Sequence, residues 1–249
     1  MSGADRWLPY GVGRKPGLRL FCLPHAGGGA SSFRSWSGEF TDDIAVCPVQ
    51  PPGRESRVLE QPYHEIQPLV SDLTDALGDL VDEPYAVYGH SLGSLVGFEL
   101  VREIRRRGGR PPVCLFVSGR HAPQLPDILP PLRDLPLEAL ADVLHTFGGT
   151  SDQVLSDLAL MRLVAPLLRA DFAVNETYRY EPEPPLDAPI IGFAASADIR
   201  ASAEQVAAWG EQTSVGFRTY LLPGGHFAVL EHASFVCRRV SETLRILHA

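Results

Sequence analysis

Residues 85–100 read YAVYGHSLGSLVGFEL, and the reading of this stretch decides the fold. Its first residues form a short apolar run rich in β-formers, as in a buried strand. From Leu92 to about residue 107, apolar residues recur at helical spacing. Between the two lies Gly89-His90-Ser91-Leu92-Gly93, a G-x-S-x-G pattern. With 23 glycines among 249 residues, chance yields such a pattern in roughly one chain in seven. The pentapeptide therefore carries weight only through its context. A strand before it and a helix after it make a sharp turn, in which flanking glycines relieve crowding and the Ser91 hydroxyl stands above a sheet. The turn also sets Ser91 and the Leu92 N–H at a helix N-terminus, where developing negative charge is favoured.

Similar apolar runs recur at 18–24, 44–49, 113–119, 189–196 and 217–223, rich in β-formers and closed by Gly or Pro. Helical patterns fall at 64–81, 92–107, 201–212 and 231–247. Strands alternating with helices predict an α/β fold with a mostly parallel sheet covered on both faces. A chain of 249 residues is expected to form a single domain, residues 1–249. Hydrophobic residues at 45% and charged residues at 21% fit an ordinary globular protein. No apolar run near the N-terminus or later is long enough for a signal or a span, so a cytoplasmic location is expected. The net charge of −8 opposes a nucleic acid as partner, since such binding needs Lys and Arg to neutralise phosphates. Cys22, Cys47, Cys114 and Cys237 are widely spaced, and buried reduced thiols are expected.

Residues 121–185 interrupt the alternation. A crossover needs only a dozen or so residues, yet this one carries further helical patterns at 135–149 and 154–178 with Pro-rich edges. It reads either as a structural insertion or as a helical lid over a site.

A serine hydroxyl needs a base, and the base needs an acid that fixes its tautomer. His226 directly follows the last strand on a Gly-Gly loop, whereas His232 falls where the final helix begins and should face solvent. Asp198 follows the preceding strand. Asp187 lies at the wrong end of that strand, and the turn after the strand at 113–119 offers no carboxylate until Asp127. The order Ser91, Asp198, His226 is that of α/β-hydrolases. A tetrahedral oxyanion needs two donors, one after the nucleophile and one from the loop after the first strand. Leu92 and Ala26, the latter in LPHAGGGASSF (23–33), are the expected oxyanion hole. That loop is not a phosphate cradle, because no Lys-Ser/Thr follows its glycines.

Together, LFCLPHAGGGASSF, VQPPGRESR, VYGHSLGSLVGFEL, LFVSGRHAP, LRADFAVNETYRY and LPGGHFAVLEH resemble the type II thioesterases, stand-alone enzymes serving polyketide synthases and nonribosomal peptide synthetases. The resemblance runs in order along nearly the whole chain. It implies an α/β-hydrolase fold with Ser91, Asp198 and His226 as triad and 121–185 as a mobile lid. The implied substrate is an acyl thioester on the phosphopantetheine arm of an acyl or peptidyl carrier protein, with no metal, cofactor or membrane involved. Lid residues Leu140, Leu144, Phe147, Leu160, Val164, Leu168 and Phe172 would line the acyl chamber. Two departures stand out: Ile199 follows Asp198 where the family commonly has proline, and Pro51 stands where it usually has a larger residue.

Arg102, Arg105, Arg106, Arg107 and Arg110 could meet an acidic carrier, but they lie at the far end of the nucleophile helix and read as a solvated helix end. Carrier docking is expected near the lid. A carboxylesterase or an acyltransferase on the same scaffold is the alternative function, and a non-catalytic binding protein is disfavoured by the complete triad.

Overall fold

The computed structural model describes residues 3–13, 17–127 and 130–248. After a short helix α1 (Gly3–Trp7) come strands β1 (Leu18–Leu23), β2 (Ile44–Pro48), β3 (Tyr85–His90), β4 (Leu115–Ser118), β5 (Ile190–Ala195) and β6 (Phe217–Leu222). All neighbours pair in parallel, in the order β2-β1-β3-β4-β5-β6. Every predicted strand is present, each end within two residues of the expected one. The chain crosses from β1 to β2 on one side and then returns to lay β3 on the other. Such a reversal leaves a crevice beyond the carboxyl ends of β1 and β3, where α/β sheets bind ligands.

The period of two along each strand sorts side chains into two cores. Phe21, Tyr85, Val87, Leu115 and Val117 face helices α2 (Ile66–Leu77) and α3 (Leu92–Arg106). Leu20, Ala86, Tyr88, Phe116 and Phe193 face the other way, toward the 3-10 segment Ala30–Glu39 and a C-terminal helix. There Tyr88 meets Trp36 edge-on at 4.7 Å and Phe33 at 5.7 Å, contacts worth about 0.5–1.5 kcal/mol each beyond burial. The central strands β1, β3, β4 and β5 are thus buried on both faces, while the edge strand β6 is largely exposed.

Between β4 and β5 lie α4 (Leu137–Phe147), α5 (Asp152–Ser156) and α6 (Leu158–Thr177). Asp157 caps α6 by accepting from the Ala159 and Leu160 N–H groups at 2.8 and 3.2 Å. These helices have a small core of their own, with Leu140, Leu144, Met161, Ala165 and Leu168, while Val174 of α6 joins the core of the sheet. Helix α6 is therefore rooted in the body and covers the site with its other half. After β5 come α7 (Ala203–Ala207), α8 (Ala228–Glu231) and α9 (Ala233–Leu247). No helix among the described residues is long and apolar enough to cross a membrane. All four cysteines are free and buried, and burial pushes the Cys47 and Cys237 thiols up to about 12.

The arginine-rich end of α3 corrects an expectation, because it is not simply solvated. Arg102 is 2% exposed and pairs with Glu99 at 2.6 Å and Glu183 at 2.7 Å. Arg105 and Arg106 also reach Glu183, and Arg107 pairs with Glu103. The segment after α6 folds onto this helix end and brings Glu183 with it.

Candidate active site

Strand β3 delivers Ser91 to the crevice at a cost. Ser91 has φ 55° and ψ −117°, a conformation of the kind that costs about 1–3 kcal/mol and persists only where surroundings enforce it. Enforcement is visible on both sides. The Ser91 N–H donates to Ser118 O at 2.8 Å, and the buried Ser94 hydroxyl bridges Gly89 O and Ser118 O. A Cβ on Gly89 would lie 2.2 Å from Gly93 O, and one on Gly93 would lie 2.1 Å from Leu23 O. Both glycines are required because backbone passes where a side chain would be.

Loops after β5 and β6 bring the other two groups. Ser196 N–H donates to Leu222 O and Ala197 N–H to Gly224 O, tying the loops together. His226 Nδ1 lies 2.9 Å from Asp198 Oδ2 and 3.1 Å from Oδ1, and its Nε2 lies 3.0 Å from Ser91 Oγ. Asp198 and His226 are both 8% exposed. With a carboxylate at Nδ1, that nitrogen carries the proton, which leaves Nε2 free to accept from the serine. The Arg200 N–H donates to Asp198 Oδ1 at 2.8 Å, while Ile199 points outward, 58% exposed. The turn thus holds the carboxylate without the proline that the resemblance led one to expect.

The rival residues lie elsewhere. His232 N-caps α9 and its Nε2 contacts Pro223 O. Asp187 is exposed and accepts from the Ser214 hydroxyl, and Asp127 accepts from Asn175 at 3.4 Å.

Ala26, Ser91 and Leu92 share the wall of a cavity of about 310 Å³. Leu92 opens α3, where the first N–H groups have no partner within the helix. Leu144, Phe147, Val164, Leu168 and Phe172 line the cavity, joined by Val154 and Leu167. Leu140 and Leu160 do not. Leu140 is wholly buried in the small core between α4 and α6, and Leu160 sits in the first turn of α6 away from the wall. Pro51 lines a separate small void beneath the β1 loop, with Leu92 and Val96.

The structure adds groups that the sequence did not single out. His25 and His90 pack beside His226, with His90 5.7 Å from His25 and 5.1 Å from His226 between ring centres. Burial, then the neighbouring His226, pushes His25 down to about 4, and the same causes push His90 well below the usual histidine range. Both are neutral at pH 7 and add no positive charge beside the His226 imidazole. On the polar side of the cavity stand Arg120, His121, Asn175 and Arg200. Arg200 lies over the Phe147 ring at 5.0 Å, and burial pushes the Arg120 guanidinium down to about 10.

The profile of the thioesterase domain family matches residues 18–244. The gramicidin S biosynthesis protein GrsT of Aneurinibacillus migulanus is 39% identical over 245 residues, covering 96% of each chain. The structure of RedJ, a thioesterase from the prodiginine pathway of Streptomyces coelicolor, is 37% identical. It matches with a TM-score of 0.85 over 96% of this chain and 93% of its own. The type II thioesterase BorB from the borrelidin biosynthetic cluster is 35% identical, with a TM-score of 0.86 over 95% and 96% of the two chains. A sheet that sets a serine, an imidazole and a carboxylate in line under a helical cover, together with these matches along nearly the whole length, has one explanation: the chain belongs to the thioesterase family.

Proposed function

We propose that the protein hydrolyses acyl thioesters held on the phosphopantetheine arm of acyl or peptidyl carrier proteins, as a type II enzyme of polyketide or nonribosomal peptide biosynthesis. The observation that carries this reading is the hydrogen-bonded line from Asp198 through His226 to Ser91, opening on a cavity with an apolar wall. Ser91 Oγ attacks the thioester carbonyl as His226 Nε2 takes its proton. The oxyanion lies between the N–H groups of Leu92 and Ala26. Collapse expels the thiol, which regains the proton from His226, and leaves an acyl-Ser91 ester. Water then attacks that ester, giving its proton to His226, and the acid leaves as Ser91 is restored. Asp198 steadies the imidazolium in both halves. Each of these roles calls on a group that already stands at hydrogen-bond distance or on the shared cavity wall.

The chain works, in this reading, as one α/β-hydrolase domain with 121–185 as its lid; residues 128 and 129 of that stretch lie outside the described residues. The apolar half of the chamber takes the acyl chain. Ser91→Ala is expected to lower hydrolysis by roughly 10⁴-fold or more. The test is mass spectrometry of carrier proteins loaded with acyl groups of graded length, beside simple oxygen esters and amine or alcohol acceptors. Carrier thioesters should be turned over fastest, with free acid as product. Faster turnover of simple esters, or transfer to an acceptor, would turn the reading toward a carboxylesterase or an acyltransferase. Near-normal turnover by Ser91→Ala would overturn the covalent mechanism.

A further inference from the structure

Asp171 lies on α6, far in sequence from the loop that carries Ala26, yet it holds that loop directly. Its carboxylate is 4% exposed and meets the Arg54 fork at two points, Nη1 to Oδ2 at 2.7 Å and Nη2 to Oδ1 at 2.8 Å. Oδ2 also accepts from the Gly27 N–H at 2.7 Å. Arg54 returns to the same loop, donating from Nη1 to Gly28 O at 3.0 Å. One buried ion pair thus grips the loop at a donor and at an acceptor on successive residues.

Two further contacts fix the loop. Gln50 accepts from the Ala30 N–H at 2.8 Å and donates to Arg54 O at 2.9 Å. Gly27 has φ +77°, and a Cβ there would lie 2.7 Å from Leu168 Cδ2, so its backbone packs directly under α6. Because a peptide unit is planar, the Gly28 N–H, which donates to His25 O at 2.9 Å, orients the unit between residues 25 and 26 that carries the Ala26 N–H, and Asp171 and Arg54 hold the two glycines that make this turn. Burying an ion pair is a poor way to gain stability, since desolvation offsets much of the attraction. An apolar pair could fill the space but could neither accept from Gly27 nor donate to Gly28.

We propose that Asp171, acting with Arg54, is a positioning residue for the oxyanion hole, fixing the turn of residues 25–28 so that the Ala26 N–H faces the carbonyl attacked by Ser91. This rests on Ser91 being the nucleophile and Ala26 a donor. Asp171→Asn keeps the shape but removes the charge that holds Arg54. It should lower kcat by about 10- to 100-fold, the scale of a misplaced donor, with KM little changed. Affinity for a boronic acid that mimics the tetrahedral intermediate should fall by a similar factor, and Asp171→Glu should restore part of both. Glu99→Gln, in the comparably buried pair with Arg102, serves as control and should lower Tm while keeping kcat. Should Asp171→Asn fail to fold, Arg54→Lys tests the same grip, because a lysine keeps the charge but loses the fork. Folded variants with wild-type kcat and boronate affinity would reduce the pair to a structural one. Labelling of the wild-type enzyme by a fluorophosphonate separates the two levels. Absence of label on Ser91 would refute the nucleophile itself, whereas normal labelling with an unperturbed Asp171→Asn refutes only the positioning role.

Discussion

Asp198→Asn changes one atom, and the structure dictates what that atom does. Asp198 Oδ1 accepts from the Arg200 N–H at 2.8 Å, so an asparagine must keep its carbonyl oxygen there. Its NH2 then takes the place of Oδ2, 2.9 Å from His226 Nδ1 and nearer to it than the retained oxygen at 3.1 Å, which already accepts from Arg200. Two N–H donors cannot face each other at that distance, so the imidazole moves its proton to Nε2. That nitrogen lies 3.0 Å from Ser91 Oγ and would donate to the hydroxyl rather than accept from it. The base is lost although every side chain stays in place. The expected fall in kcat is roughly 10⁴-fold, or about 5.5 kcal/mol of barrier, with KM little changed. Among the described residues the cavity lining holds no carboxylate to take over. Steady-state hydrolysis of an acyl N-acetylcysteamine thioester, read by thiol release, measures kcat and KM. Circular dichroism and thermal melting check that the fold is intact. A folded variant keeping more than about a tenth of wild-type kcat would refute the tautomer argument and require another group to orient His226.

Val164→Phe adds bulk to the chamber wall formed by α6. Long acyl chains should lose turnover relative to acetyl or propionyl thioesters, measured as a ratio of kcat/KM across a chain-length series, and an unchanged ratio would remove Val164 from the acyl path. Acid sensitivity should trace to the neutral histidines under the site. In the unfolded chain His25 takes a proton near its ordinary value of 6.5, while in the folded protein it does so only near 4. The unfolded state therefore binds more protons between those values, so stability is full above the upper one and falls as pH drops through the window. From pH 7 to pH 5 His25 alone should cost roughly 2 kcal/mol. Chemical denaturation at both pH values measures the loss, and His25→Asn should flatten that part of the profile.

What was legible in the sequence is what local chemistry decides. Tyr85–Tyr88 announces a strand and Gly89, Ser91 and Gly93 announce its sharp exit, because sterics at neighbouring residues alone require them. The positions of Asp198 and His226 followed from strand ends, since parallel sheets carry their sites there. Contacts between distant segments were not legible. Arg54 and Asp171 stood in stretches that resemble the family, yet nothing in either stretch names the other as its partner. Glu183 likewise reaches the arginines of α3 only because the chain folds back after α6. In helices α4 and α6 five of the seven expected residues line the cavity, and Leu140 and Leu160 do not, for a related reason. These helices carry apolar residues on more than one side, one packing α4 on α6 and another lining the cavity. Helical spacing alone does not separate Leu140 in the first from Leu144 at the second.

The hydrogen-bonded line from Asp198 through His226 to Ser91 also explains a glycine outside the G-x-S-x-G pattern. Ser91 follows β3 and His226 follows β6, so the loop after β6 must reach across β5 and β4, three strand spacings or about 14 Å. The obstacle is whatever follows β4, and there the chain has Gly119 at φ +60°. A Cβ at Gly119 would lie 2.6 Å from the His90 ring and 3.1 Å from His226 Cε1, in the space through which the imidazole reaches the serine. Immediately beyond it Arg120 is anchored, its carbonyl accepting from Trp209 Nε1 at 3.0 Å, so the loop cannot retreat without breaking a buried contact. A side chain here would strain the backbone and press on both imidazoles at once. The absence of a side chain at Gly119 is therefore as much a part of the Ser91–His226 hydrogen bond as the two groups that form it.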